Sequence, residues 1–203
     1  MPISVHDTKT FIEQSYLKTS QRTDVGSYQL DRQLSNDRCA VFYDPQTNAV
    51  VVINRGTART LQDWTNNVSL ARGQYDSTER MKNALDTQLQ VKAKYPTSKI
   101  TNIAHSQSQA IVANLNNRGL TDEVITLNGA TMPWDVQAAN ETRIRSNHDV
   151  VSAVQALGST KHRNTTIDGS WNPLTEHSTS ILDRINPTTY FGTGIKSHVK
   201  QMP

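Results

Sequence analysis

Apolar residues follow two different periods along the chain. Two short apolar runs, at 39–43 and 49–53, flank a Pro-Gln-Thr-Asn segment at 45–48, and this pattern predicts a β-hairpin. From residue 76 onward, segments with apolar residues at helical spacing alternate with short apolar runs. Such an alternation predicts an α/β fold with a mostly parallel central sheet, an antiparallel edge hairpin and helices on both faces.

The individual elements are predicted from the same patterns. Tyr95-Pro96 ends one helical segment and Gly119 closes another, because proline stops a helix and glycine is a favoured residue after its last turn. The predicted helices span 6–19, 76–95, 109–119 and 149–158, with a loop and short helix at 171–185. The predicted strands after the hairpin span 99–105, 123–129, 142–147 and 162–169.

Composition narrows the class of protein further. A chain of 203 residues fits one domain, which is predicted over residues 1–185. Residues 186–203 are rich in Pro, Gly and Thr and are predicted to form a C-terminal extension. The net charge of +3 comes from scattered Lys and Arg, and no basic block with interleaved aromatic residues predicts nucleic-acid binding.

The single cysteine and the polar amino terminus bear on the compartment. Cys39 alone cannot form an intramolecular disulfide or a multi-cysteine metal site, and its place in a predicted strand indicates a buried thiol. Residues 1–14 lack the apolar segment of a signal peptide, and no apolar run approaches the roughly 18 residues of a membrane helix. These features predict a chain that resides in a reducing, cytoplasmic compartment without a membrane span, and no cofactor motif is found.

Ser106 is the candidate nucleophile. It follows the apolar strand at 99–105 and precedes a helical segment, which is the position of the serine in the G-x-S-x-G turn of hydrolases. The sequence here is Ala104-His105-Ser106-Gln107-Ser108, so two small residues replace the glycines that let strand and helix pass closely. Taken alone, the same pattern also fits a serine that caps the helix amino terminus.

A second motif lies upstream of this serine. The strand at 49–54 runs into Arg55-Gly56-Thr57, and Asp63-Trp64 follows. Together with the later serine turn, this order resembles the class 3 lipase family of α/β-hydrolases. Its members have Arg-Gly-Thr or Arg-Gly-Ser after a strand, then Asp-Trp, then a Gly-His-Ser-Leu-Gly-Gly turn. The resemblance covers roughly residues 38–183.

The resemblance implies roles for several residues. The backbone N–H groups of Thr57 and Gln107 are the expected oxyanion donors, Asp63 and Trp64 are expected to be scaffold, and Asp149 is the expected acid. Asp149 lies in a Ser-Asn-His-Asp segment after a predicted strand, where the family has Asn-x-x-Asp; here Asn147 stands two residues before the aspartate rather than three. A helix cap is the other interpretation of Asp149.

His177 is the candidate base. It follows the last predicted strand, which satisfies the chain order Ser, Asp, His of α/β-hydrolases. Family members often have a His-Ser pair followed by apolar residues at this place, as in His177-Ser178. His198 in the extension is the next candidate, whereas His105 occupies the structural histidine position of the family's His-Ser pair.

These residues predict a serine carboxylic-ester hydrolase, such as a lipase, phospholipase or esterase. Its predicted partner is an ester or lipid substrate, with peripheral contact to a lipid surface.

Three departures count against an efficient lipase: Asn54 replaces an aromatic residue, Gln107 and Gln109 are expected near the pocket, and aromatic content is only 6%. We therefore expect a small acyl pocket. The alternative is a catalytically degenerate lipase-like fold with a binding role, in which the extension is the candidate contact for a protein partner.

Overall fold

A seven-stranded sheet forms the centre of the protein. The computed structural model describes residues 3–56, 79–130, 136–149, 164–170 and 172–191. The strands are ordered β2-β3-β4-β5-β6-β7-β8 across the sheet. Their bounds are β2 Gln29–Leu30, β3 Cys39–Asp44, β4 Ala49–Asn54, β5 Lys99–His105, β6 Glu123–Leu127, β7 Glu141–Ser146 and β8 Asn164–Ile167.

Helices and two further short strands surround this sheet. The α-helices are α1 Val5–Tyr16, α2 Glu79–Lys94, α3 Gln109–Asn117 and α4 Pro173–Glu176. Single turns of 3-10 helix span Thr19–Gln21 and Ser106–Ser108, and a longer one spans Thr179–Arg184. The short strands β1 Ile3–Ser4 and β9 Tyr190–Phe191 pair with each other.

The direction of the strands confirms the predicted α/β class. Strands β2, β3 and β4 pair antiparallel, and every pair from β4 to β8 is parallel. The hairpin at 39–54 and the strands after residue 98 lie where the apolar pattern predicts them. The helix predicted at 149–158 lies outside the described residues beyond Asp149.

Alternating side chains of the strands fill two hydrophobic layers. On one face, β4 contributes Val51 and Ile53, which belong to the same buried cluster as Phe11 and Ile12 of α1. On the opposite face, Val50 and Val52 pack with Val91 of α2 in a second cluster. All six residues of β4 are buried, which accounts for its continuous apolar run.

Strands β1 and β9 bring residues 3–4 and 190–191 together. Ile3 pairs with Phe191 and Ser4 with Tyr190, and the Phe191 side chain is buried in the core under α1. Part of the predicted extension thus packs on the amino terminus, while residues 192–203 lie outside the described part of the chain. Among the described helices, none combines the length and apolar character needed to cross a bilayer.

A buried arginine attaches α1 to the sheet. The fully buried Arg22 donates four hydrogen bonds to backbone carbonyls, those of Leu17, Asn36, Cys39 and Ser15, at 2.8 to 3.2 Å. Burial is the main cause that lowers the pKa of its guanidinium. The planar fork of arginine suits this task because its donors point in several fixed directions.

Replacing Arg22 with methionine should destabilise the protein strongly. The variant leaves buried carbonyls without their donors, and we expect a loss of about 3 to 5 kcal/mol in the free energy of unfolding. Urea denaturation of Arg22→Met and of Arg38→Met, an exposed arginine in the adjacent turn, provides the comparison. Equal stability of the two variants would contradict this role.

Candidate active site

A strained turn presents Ser106 at the end of β5. Ser106 has φ +59°, a left-handed conformation that is costly for a residue with a side chain. The Ser108 hydroxyl holds the turn from inside: it accepts from the His105 N–H at 3.0 Å and donates to the His105 carbonyl at 2.9 Å. Ala104 and Ser108 are fully buried, so these small residues stand where strand and helix pass closely.

Gly56 lies directly against this turn. A Cβ atom at Gly56 would lie 2.6 Å from the His105 carbonyl oxygen, 2.7 Å from Tyr16 Oη and 3.2 Å from Ser106 Cβ. Only glycine avoids these clashes, which explains the residue at the centre of Arg55-Gly56-Thr57. The motif noticed in the sequence therefore contacts the serine turn in the structure.

Ser106, His177 and Asp149 form one hydrogen-bonded chain. His177 Nε2 lies 2.9 Å from Ser106 Oγ, and His177 Nδ1 lies 2.8 Å from Asp149 Oδ1. A carboxylate accepts hydrogen bonds, so Nδ1 carries the proton and the bare Nε2 accepts from the serine hydroxyl. Ser106 directs its hydroxyl to His177, and the cap position of the 3-10 helix belongs to His105.

Asp149 and His177 differ in how far their side chains are exposed to solvent. The Asp149 side chain is 0% exposed, whereas the His177 side chain is 20% exposed. The carboxylate is thus shielded from water while the imidazole remains within reach of a reactant. Such an arrangement can take a proton from the serine and return it to a leaving group.

Of the two expected oxyanion donors, only Gln107 lies within the described residues. Gln107 is in the first turn after the serine, at a helix amino terminus where N–H groups favour negative charge. Thr57 lies outside the described residues, as do Asp63, Trp64 and His198. Within the described part of the chain, no group of three or more His, Cys, Asp or Glu side chains is arranged to hold a metal ion.

Glu176 anchors the segment that carries His177. This fully buried carboxylate accepts two hydrogen bonds from the Arg184 guanidinium, at 2.8 and 2.9 Å. It also accepts from the Ser170 N–H and hydroxyl, both at 2.8 Å, and from the Ser146 hydroxyl. The arginine is the main cause that holds the pKa of Glu176 well below its ordinary value.

Asn128 joins the same segment to the sheet. It adopts a left-handed conformation with φ +47° directly after β6. Its side-chain amide donates to the Glu176 carbonyl at 2.7 Å and accepts from the Ser146 N–H at 3.1 Å. Sequence reasoning identified neither Asn128 nor Glu176, and the one available signal was an Asn-Gly pair at the end of a strand.

His105 lies beneath the candidate base and is uncharged near neutral pH. Its Nδ1 contacts Tyr16 Oη at 2.8 Å, and its Nε2 contacts the His177 carbonyl oxygen at 2.9 Å. Burial, followed by the nearby His177, lowers the pKa of His105 to about 4. The structural position that the sequence predicted for His105 thus involves contact with the His177 backbone.

Gln109, which the sequence predicts near the pocket, is buried and hydrogen-bonded within the fold. Its amide donates to Glu141, which also forms a bidentate ion pair with Arg143 at 2.8 and 3.0 Å. Both side chains of that ion pair are about 5% exposed or less. Gln109 therefore contacts a buried charge pair on α3's side of the sheet, because a buried carboxylate needs further donors.

Comparison with known structures places the fold. The chain resembles the Rhizomucor miehei lipase in its propeptide complex, with a TM-score of 0.56, 15% identity, and coverage of 95% of this chain and 80% of that one. It also resembles a variant of MDLA from Penicillium cyclopium, with a TM-score of 0.53, 16% identity, and coverage of 82% and 79%. The sequence matches no protein-family model and no curated protein.

A third similar structure is described as showing an unusual buried polar cluster in a family of fungal lipases. Its TM-score is 0.53 at 13% identity, and the match covers 97% of this chain and 84% of that one. The protein therefore has the α/β-hydrolase fold, in the form seen in fungal lipases. This confirms, at the level of the fold, the resemblance to class 3 lipases that the motifs indicated.

Replacing Glu176 with glutamine should destabilise the protein by about 3 kcal/mol, because it leaves Arg184 without its buried counter-charge. Asp183→Asn is the matched control, since the ion pair of Asp183 with Lys9 is at the surface and is expected to contribute less than about 1 kcal/mol. Chemical denaturation of both variants at neutral pH measures the difference. Similar losses would contradict the anchoring role of Glu176.

Stability should fall as the pH is lowered from about 6.5 to about 4. The pKa of His105 is lowered from 6.5 to about 4, so the unfolded chain binds the proton first and acid favours unfolding. The loss from this group is on the order of 3 kcal/mol and levels off below the folded pKa. NMR titration of the His105 ring, assigned with a His105→Gln variant, is the direct measurement; a midpoint near 6.5 would contradict it.

Proposed function

We propose that the protein is a serine carboxylic-ester hydrolase of the lipase or esterase type. The observation that carries the proposal is the chain from Ser106 Oγ through His177 to Asp149, with hydrogen bonds of 2.9 and 2.8 Å. The strained backbone of Ser106 supports it, because such strain is concentrated at functional sites. Three residues from distant parts of the chain meet in the order that acyl transfer requires.

In the first step, Ser106 Oγ attacks the ester carbonyl carbon while His177 Nε2 takes the hydroxyl proton. The imidazolium that forms is stabilised by the buried Asp149 carboxylate. The carbonyl oxygen becomes an oxyanion, and the N–H groups of Gln107 and Thr57 are the proposed donors to it. Collapse of this intermediate expels the alcohol, which receives the proton from His177, and leaves an acyl-Ser106 ester.

In the second step, water attacks the acyl-enzyme. His177 Nε2 takes a proton from the water, and the same oxyanion donors stabilise the second tetrahedral intermediate. Its collapse releases the carboxylic acid and returns the proton to Ser106 Oγ. The partly exposed imidazole of His177 is suited to this step because water can reach it.

The substrate class follows from the site and its relatives. An ester of a lipid or a smaller carboxylic acid fits the proposed chemistry, and two of the similar structures are described as lipases. The low aromatic content of 6% favours a short acyl group, since acyl sites need contiguous apolar lining. We therefore propose short-chain esters as the first substrates to assay.

The alternative of a degenerate, binding-only fold has lost part of its support. This alternative rests on the missing glycines, on the two glutamines after Ser106 and on the extension at 186–203. Gln109 binds the buried Glu141–Arg143 pair, and Ala104 and Ser108 meet the steric need of the turn. The favoured interpretation is therefore an active hydrolase.

An active-site phosphonate tests this function. A fluorescent fluorophosphonate should label the wild-type protein, because an activated serine displaces fluoride from phosphorus and becomes covalently phosphonylated. Ser106→Ala should abolish labelling, and Asp149→Asn should reduce the rate of p-nitrophenyl acetate hydrolysis by about 100-fold or more. Labelled protein is measured by gel fluorescence and the site by peptide mass spectrometry.

Ser98→Ala is the matched control for the serine change. Ser98 precedes the opposite end of the same strand and hydrogen-bonds Asn48, so its loss should leave labelling intact. Absence of labelling in folded wild-type protein, or equal labelling of the Ser106→Ala variant, would refute the proposed function. Circular dichroism confirms that each variant is folded.

A further inference from the structure

Tyr16, at the end of α1, contacts both sides of the candidate active site. Its hydroxyl lies 2.8 Å from His105 Nδ1, and it also lies against Gly56, since a Cβ atom at Gly56 would be 2.7 Å from the same oxygen. The Arg55 guanidinium lies over the Tyr16 ring, 5.9 Å from its centroid. None of the sequence motifs includes this tyrosine, which is about 90 residues from the serine turn.

The hydrogen bonds around His105 have a fixed direction. The His177 carbonyl can only accept, so His105 Nε2 must carry the proton and donate to it at 2.9 Å. His105 Nδ1 is then bare and accepts from the Tyr16 hydroxyl.

Hydrogen bonds therefore link Tyr16 through His105 to the His177 backbone, and the Tyr16 hydroxyl also lies against Gly56. Gly56 contacts the serine turn, because a Cβ atom at Gly56 would lie only 3.2 Å from Ser106 Cβ. His177 supplies the candidate base, and the His105 and His177 rings lie 5.2 Å apart. The position of the base and that of the Arg55-Gly56 segment thus depend on the same hydroxyl.

We propose that Tyr16 is a positioning residue, which through His105 holds the His177 backbone and through Gly56 holds the Arg55-Gly56 segment against the serine turn. This inference rests on the proposed hydrolase function. It adds that α1, which precedes every motif of the site, takes part in setting the geometry of the base. Loss of the hydroxyl should therefore affect the chemical step more than substrate binding.

The electrostatics of the cluster are consistent with this task. A proton on His105 would repel the imidazolium that His177 forms during acyl transfer. The Tyr16 hydroxyl donates a hydrogen bond to His105 Nδ1, which is the nitrogen that would otherwise take up that proton. Burial raises the pKa of Tyr16 to about 12, so the phenol keeps its proton and remains a donor under ordinary conditions.

Tyr16→Phe is the direct test, because phenylalanine keeps the ring that packs on His105 and removes only the hydroxyl. We expect kcat for p-nitrophenyl acetate to fall about 10- to 100-fold with KM within about twofold of the wild type. The ¹⁵N shift of His105 Nδ1 should move to that of a nitrogen without a hydrogen-bond donor. His105→Gln alone should reduce kcat, and combination with Tyr16→Phe should add little further loss.

Tyr95→Phe is the matched control. The Tyr95 hydroxyl makes one hydrogen bond of 2.8 Å, to Asp31 on the far side of the sheet, so its removal tests the general cost of losing a phenol. It should lower the melting temperature and leave kcat unchanged.

The outcomes separate the two proposals. If wild-type protein is not labelled by the fluorophosphonate, the proposed function fails and this inference fails with it. If the wild type is labelled but Tyr16→Phe keeps kcat within twofold, or raises KM alone, the positioning role is overturned while the function stands. Fully additive losses in Tyr16→Phe and His105→Gln would also overturn it, since Tyr16 would then not act through His105.

Discussion

Parallel register brings the carboxyl ends of five strands, β4 to β8, to one edge of the sheet. Asn54 of β4 lies beside Ala104 of β5, His105 beside Leu127 of β6, and β7 continues the same alignment. Residues that follow these strands must therefore meet, and ligand sites of open α/β sheets occur at this edge. Ser106 and Asp149 follow two of the aligned strands, whereas His177 comes from a segment beyond β8 and needs separate support.

That support comes from buried charges and amides as well as from apolar packing of Ile181 and Leu182 in the core. Glu176 and Arg184 form an ion pair with one fully buried partner, and Asn128 hydrogen-bonds the Glu176 backbone. A buried carboxylate is costly unless its oxygens are satisfied, and here Arg184 and the serines satisfy them. Because the arrangement tolerates few alternatives, the residue next to Glu176 has a defined place.

The serine turn shows how a motif can change without losing its shape. Glycine is usual on both sides of such a serine because strand and helix approach each other. Ala104 is small enough to pass, and Ser108 turns its own hydroxyl back onto the His105 backbone at 2.9 and 3.0 Å. Gly56, by contrast, has no substitute, since a Cβ there would meet the His105 carbonyl at 2.6 Å. The close approach that requires glycine lies between two loops rather than within the turn.

Periodicity and local motifs determined the elements: the hairpin at 39–54, the strand before Ser106, the helix closed by Gly119 and the chain order of the candidate site residues. Such features depend on neighbours within a few residues, which the sequence displays. Tertiary structure alone decided that Gln109 turns to Glu141, that Glu176 pairs with Arg184 and that Tyr16 reaches His105. Periodicity tells which face of an element is buried, but the partner of a buried polar group is set by distant segments that packing brings within 3 Å.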